Sequence, residues 1–188
     1  GLKNVLLDKT GSASSRQGFI QLNGTAIGGG STDVNAVYNF ERSNGNNYCV
    51  AFSSITGYYS TDACQTFTAF VTTLTRLNDV NCAAHGDRLY CVNNQYNFFF
   101  DGTDDTPFTS AAALDFIRVH HNTCFAAGGT GQLSRLYYSD LNDCATWSTT
   151  LNYVDINVND GDVITGIGPP LFDMLIIYKK FSTWALKG

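Results

Sequence analysis

At 188 residues, with 44% hydrophobic and 13% aromatic content, the chain is long enough for one domain with a sizeable core and too apolar for disorder. A formal charge of -5 and only 14% charged residues weigh against binding to a phosphate backbone, because that affinity rests on clustered Lys and Arg that displace counterions. No apolar run reaches the roughly 18 residues needed to span a bilayer, and the N-terminus carries no charged and apolar leader pattern, so membrane insertion is unsupported.

Helical surfaces draw on Glu, Lys and Ala, yet the single Glu here is Glu41 and the chain is filled with Asn, Thr, Ser, Gly, Tyr and Phe. Those residues suit strands and tight turns, which predicts an all-β fold. Residues 1–33 hold two short apolar stretches, Val5-Leu6-Leu7 and Phe19-Ile20-Gln21-Leu22, around the polar run Gly11-Ser12-Ala13-Ser14-Ser15. They predict two strands joined by a loop, then a Gly28-Gly29-Gly30 connection.

From Val34 onward four units can be written out. The first has strands at Val34-Phe40, Tyr48-Phe52, Tyr58-Ser60 and Phe67-Thr72, with Ser43-Asn44-Gly45-Asn46-Asn47 as a hairpin turn. The second runs Val80-Ala84, Arg88-Asn93, Asn97-Phe100 and Phe108-Ser110, turning first at His85-Gly86-Asp87. Phe116-His120, Cys124-Ala127, Arg135-Ser139 and Trp147 to Asp155 make the third; Val163-Ile167, Leu175-Tyr178 and Thr183-Leu186 begin a fourth. Alternating aromatics such as Tyr38 with Phe40 and Phe98 with Phe100 predict a core-facing side of each strand rather than a ligand platform.

Within these units one phrase recurs: strand, turn, strand, aromatic doublet, Asp-containing turn. Tyr48-Cys49-Val50-Ala51-Phe52 leads to Tyr58-Tyr59-Ser60-Thr61-Asp62-Ala63-Cys64-Gln65-Thr66-Phe67. Thr123-Cys124-Phe125-Ala126-Ala127 likewise leads to Tyr137-Tyr138-Ser139-Asp140-Leu141-Asn142-Asp143-Cys144-Ala145-Thr146-Trp147. Equivalent strands recur at about 33 to 50 residues, near the period at which a four-stranded unit stacks radially as a propeller blade. The expected architecture is therefore a β-propeller of antiparallel blades, at about 34–74, 75–113, 114–158 and 159–188. The last unit reaches Lys187-Gly188 before any outer strand, and an unclosed ring would leave a blade face and an edge in water. The expectation is a ring incomplete in this chain, either part of a longer propeller or covered by neighbouring subunits.

The six cysteines fall two to a unit: Cys49 with Cys64, Cys82 with Cys91, and Cys124 with Cys144. A hairpin folded about Gly86-Asp87 sets His85 opposite Arg88 and Cys82 opposite Cys91, close enough to bridge if the geometry agrees. Three disulfides within units, in oxidising surroundings, and six buried thiols acting as small apolar residues stand as alternatives. A zinc site is disfavoured, since no Cys-x-x-Cys spacing occurs and the histidines are His85 and the His120-His121 pair.

Other chemistry is sparse. Asp155-Ile156-Asn157-Val158-Asn159-Asp160-Gly161-Asp162 invites a calcium reading but fails the EF-hand pattern, with Gly one place late and Gly166 where the bidentate Glu should stand; a turn is the better reading. Gly128-Gly129-Thr130-Gly131 lacks the Lys and helix of a phosphate loop. His120-His121, read as strand, alternate faces and cannot both address one ligand. No catalytic residue, cofactor or metal is expected.

Ser60-Thr61-Asp62-Ala63-Cys64-Gln65-Thr66-Phe67 resembles the Asp box of sialidase-like propellers, S-x-D-x-G-x-T-W, with Cys64 in place of Gly. The resemblance implies a structural fastener, in which Ser60, Asp62 and Thr66 hold the turn and Phe67 enters the core. It implies no catalysis, because the six Arg are scattered singly along the chain.

A second resemblance covers nearly the whole chain. It is carried by Ser134-Arg135-Leu136-Tyr137-Tyr138-Ser139-Asp140-Leu141, Trp147, Ile156-Asn157 and Asp160-Gly161-Asp162-Val163-Ile164-Thr165-Gly166-Ile167, with Arg16 to Gly29, Asp87 to Asn93 and Leu175 to Gly188 in support. These stretches are similar to the β-propeller structural proteins of tailed bacteriophages, of the tail-tube, nozzle or head-tail-connector type. The resemblance implies a non-enzymatic virion protein in the phage tail, assembled in the host cytoplasm as a homo-oligomeric ring in contact with other tail or connector proteins. DNA would pass it without specific binding. The cysteines depart from that pattern, which puts the redox environment in question rather than the fold. A carbohydrate-binding or glycan-hydrolysing propeller is the alternative.

Overall fold

The computed structural model describes residues 5–7, 13–15, 21–27, 33–74, 79–109, 113–129, 131–148 and 150–187. These form β-strands joined by turns, with no α-helix among them. A short ribbon pairs β1 (Val5–Leu7) with β2 (Ala13–Ser15). The run expected to be a loop thus contains a strand. Of the strand expected at Phe19-Leu22, Phe19 and Ile20 lie outside the described residues, and Gln21 and Leu22 have no regular structure.

Four antiparallel sheets follow, each built from strands consecutive in the chain. The first holds β3 (Val34–Glu41), β4 (Asn47–Ser53), β5 (Thr56–Ser60) and β6 (Thr68–Val71). The second holds β7 (Asn81–His85), β8 (Arg88–Val92), β9 (Asn97–Phe100) and β10 (Asp105–Pro107). The third holds β11 (Phe116–His120), β12 (Thr123–Ala127), β13 (Arg135–Tyr138) and β14 (Tyr153–Asp155). The fourth has three strands, β15 (Ile164–Ile167), β16 (Met174–Lys179) and β17 (Thr183–Lys187).

Period-two alternation explains how the sheets stack. On β8, Leu89 and Cys91 face a core shared with the first sheet, whereas Tyr90 and Val92 face one shared with the third. β9 does the same with Phe98 and Phe100 on one side and Phe99 on the other. On β12, Cys124 and Ala126 point back to the second sheet and Ala127 forward to the fourth. The two middle sheets are thus buried on both faces, so their strands are near-continuous in apolar residues. The first interface is dominated by rings: Phe70 lies 4.4 Å from Phe100 between centroids, and Phe40 stacks on Tyr48 at 5.7 Å. Phe40, Phe98 and Phe100 are fully buried and Tyr38 packs against them, as their alternation predicts. Each such ring contributes about 2–3 kcal/mol by leaving water.

The outer strands depart most from expectation. In the second sheet the outer strand is β10 and not Phe108-Ser110: Pro107, which lacks an N–H, sits on the edge strand where that loss is tolerated, and Phe108 leaves it to stack on Trp147 at 6.1 Å. Ser110 lies outside the described residues. In the third sheet only Tyr153–Asp155 of the stretch from Trp147 is strand.

Candidate functional site

Three turns are organised around carboxylates. After β5, the Asp62 carboxylate accepts bonds from the Gln65 and Thr66 backbone N–H groups (3.1 and 2.9 Å) and from the Thr66 hydroxyl (2.6 Å). Ser60 donates its hydroxyl to Asp62 at 2.7 Å and accepts the Cys64 N–H at 3.1 Å. The bond from the Thr66 hydroxyl, with the backbone donors, holds the Asp62 carboxyl well below the usual carboxylate range. Ser60, Asp62 and Thr66 thus bind one another and the backbone of this turn. Phe67 does not follow it into the core: it is half-buried beside Leu22, Ile27, Val34 and Val37, in a groove over the outward face of the first sheet.

The second turn uses Asp143, whose carboxylate takes the Thr146 hydroxyl (2.7 Å) and the Ala145 N–H (3.0 Å), while buried Ser139 accepts the Cys124 N–H (3.0 Å). Here Trp147 is buried and donates its ring N–H to the Cys144 carbonyl at 2.8 Å.

In the third turn, residues 155–162 place the carbonyls of Ile156 and Asn157 and the Asp160 carboxylate around one position. The Lys179 ammonium fills it, at 3.0 and 3.3 Å from the carbonyls and 2.7 Å from Asp160. The segment is a turn, and its cation is a side chain supplied by β16. Asp162 beside it accepts the Phe181 N–H (3.1 Å) and the Ser182 hydroxyl (2.9 Å), tying this turn to the β16–β17 hairpin.

The cysteines divide. Cys124 and Cys144 are joined in a disulfide with Cα atoms 5.3 Å apart. Cys82 and Cys91 are directly opposed on β7 and β8 in the register expected from the turn, with sulfurs 2.6 Å apart as thiols. Burial, then the hydrogen bond with Cys91, pushes the Cys82 thiol well up. Cys49 and Cys64 are half-buried thiols on the floor of the groove beside Phe67; burial, then the bond with Cys64, pushes Cys49 up to about 12. Thiols held protonated in this way are poor nucleophiles.

The histidine pair also departs from expectation. β11 ends at His120, and His121 and Asn122 take left-handed φ values of 47° and 57°, forming a two-residue turn with His120 paired to Thr123. That backbone swings His121 back over His120, with ring centroids 4.0 Å apart, so the pair does not alternate as it would on a strand. Phe172 and Asp173 form a second left-handed turn between Leu171 and Met174, and Asp173 pairs with the His121 ring. Sequence reasoning missed Asp173 and Lys179, both of which reach their partners from the fourth sheet; the only local signal was the phrase Phe172-Asp173 between the apolar Leu171 and Met174. Of the Arg residues, Arg135 is bound to Asp155 at 2.7 and 3.0 Å and Arg88 lies over the Phe99 ring, so these two do not converge on a shared ligand position. No family model matches the chain, and no curated protein matches it in sequence.

Proposed function

We propose that the chain is a non-enzymatic structural protein of a tailed-bacteriophage virion, its sheets serving as the blades of a β-propeller that builds part of a tail or connector ring. The observation that carries the reading is the succession of sheets: each is a meander of consecutive strands, and each shares a core with the next. The first strands also follow one another, β3 against β7, β7 against β11 and β11 against β15, as inner strands do about an axis. A structural role suits the chemistry, since the carboxylates of the turns are spent on backbone, hydroxyl and Lys179 partners. Apolar side chains on the fourth-sheet side, including Phe172 at 86% and Phe181 at 78% exposure, suit contact with neighbouring subunits or tail proteins. The net charge of -5 suits a wall past which DNA slides without being gripped.

Native mass spectrometry with negative-stain imaging tests this, alone and with the other tail proteins of the same virion. Rings or defined co-assemblies are expected. A monomer that binds no tail protein and that retains or cleaves a glycan would replace this reading with the carbohydrate-directed one.

A further inference from the structure

We propose that His120, His121 and Asp173 form a binding site for a zinc-type divalent transition-metal ion, set where the β11–β12 turn of the third sheet meets the β15–β16 connection of the fourth. One ligand atom from each residue lies within 4.8 Å of the other two. Zinc holds imidazole nitrogens and carboxylate oxygens at about 2.0–2.2 Å, so its tetrahedral ligand atoms stand about 3.3–3.6 Å apart. The widest separation exceeds that spacing by no more than about 1.5 Å, and the His121–Asp173 pair already stands inside it. The two exposed members can close that distance, His121 and Asp173 having side chains 56% and 54% exposed.

The second observation is His120 itself. It is 8% exposed, its Nε2 is shielded from solvent, and no group among the described residues hydrogen-bonds to that nitrogen. Buried polar atoms of this kind are rare in folded proteins and call for a partner.

The donor set selects the ion. Two imidazoles and one carboxylate suit zinc, cobalt, nickel or copper, whereas calcium and magnesium prefer all-oxygen shells. Three protein ligands leave one coordination position for water. The bound ion would staple the third-sheet hairpin to the fourth sheet, and it would stabilise the fold by mass action. This inference stands apart from the virion reading, since it needs only the two turns.

Titration of the full chain with Zn2+ alone, followed by calorimetry and thermal melts, and with Co2+ as an absorbing reporter, tests the site. One saturable site, a rise in Tm with Zn2+ and none with Ca2+ are expected. His121→Gln and Asp173→Asn change exposed side chains and should keep the fold by circular dichroism while weakening Zn2+ binding at least ~10-fold each. The double variant Cys49→Ser, Cys64→Ser should bind as the parent does. Absence of saturable Zn2+ binding in the parent, unchanged affinity in His121→Gln and Asp173→Asn, or binding lost with the cysteines would each overturn the proposal.

Discussion

Lys179 and Asp160 form an ion pair across two elements: the ammonium is fully removed from solvent, 2.7 Å from a carboxylate oxygen, and capped by the carbonyls of Ile156 and Asn157. A buried charge with every donor directed at an oxygen is stable only while all its partners stay. Replacing it by Lys179→Met leaves two carbonyls and a carboxylate facing an apolar chain. The expected loss is on the order of 3 kcal/mol, read as a lower urea midpoint at unchanged m-value. An unmoved midpoint would show that water replaces the ammonium without cost.

Cys82 and Cys91 should behave unlike Cys49 and Cys64. The opposed sulfurs on β7 and β8 need a small side-chain adjustment to reach the bonding distance of about 2.05 Å, and an oxidant such as dioxygen would take up the two thiol hydrogens. Thiol titration of the air-equilibrated protein in denaturant should then find two free thiols, those of Cys49 and Cys64. Four would mean that burial protects the Cys82 and Cys91 thiols from oxidation. Reduction of Cys124–Cys144, which spans a sequence separation of 20, should lower stability by about 3 kcal/mol.

Acid should unfold the protein through its turns. The hydroxyl of Thr66 lowers Asp62, the backbone N–H of Ser43 lowers Asp87, and the hydroxyl of Thr146 lowers Asp143; Arg135 lowers Asp155 and Lys179 lowers Asp160. A folded-state pKa below the unfolded value of about 3.9 gives stability that is complete above that value and is lost as pH falls through the folded one. Tm should drop steeply below about pH 4, as these carboxylates take up protons. Asp62→Asn removes one contributor, so its acid limb should be shallower than the parent's. Parallel limbs would show that the Asp62 turn does not contribute.

Phe100→Ala tests the ring cluster between the first two sheets. The side chain is fully buried against Phe70, Tyr59, Tyr48 and Phe40, so truncation should cost about 3–5 kcal/mol. Gly57→Ala should also destabilise, by about 1–3 kcal/mol, because a Cβ there would stand 2.6 Å from Val71 Cγ1 and 2.8 Å from Phe52. Chemical denaturation of both variants checks these values, and a Gly57→Ala protein as stable as the parent would show that the Val71 and Phe52 side chains yield freely.

By itself the sequence determined the local order: alternation set the strands and their buried faces, turn residues set the hairpins, and counting outward from Gly86-Asp87 brought Cys82 opposite Cys91. These follow from interactions within a few residues, and a period of two leaves each strand only one register that buries its apolar side. Tertiary structure decided what depends on chain-distant neighbours. Phe108 stacks on Trp147, 39 residues on in the chain, and Lys179 entered a loop 19 residues away. Asp173 met His121 from the β15–β16 connection, 52 residues away in the chain. No local pattern encodes those meetings, since they exist only once the sheets have packed.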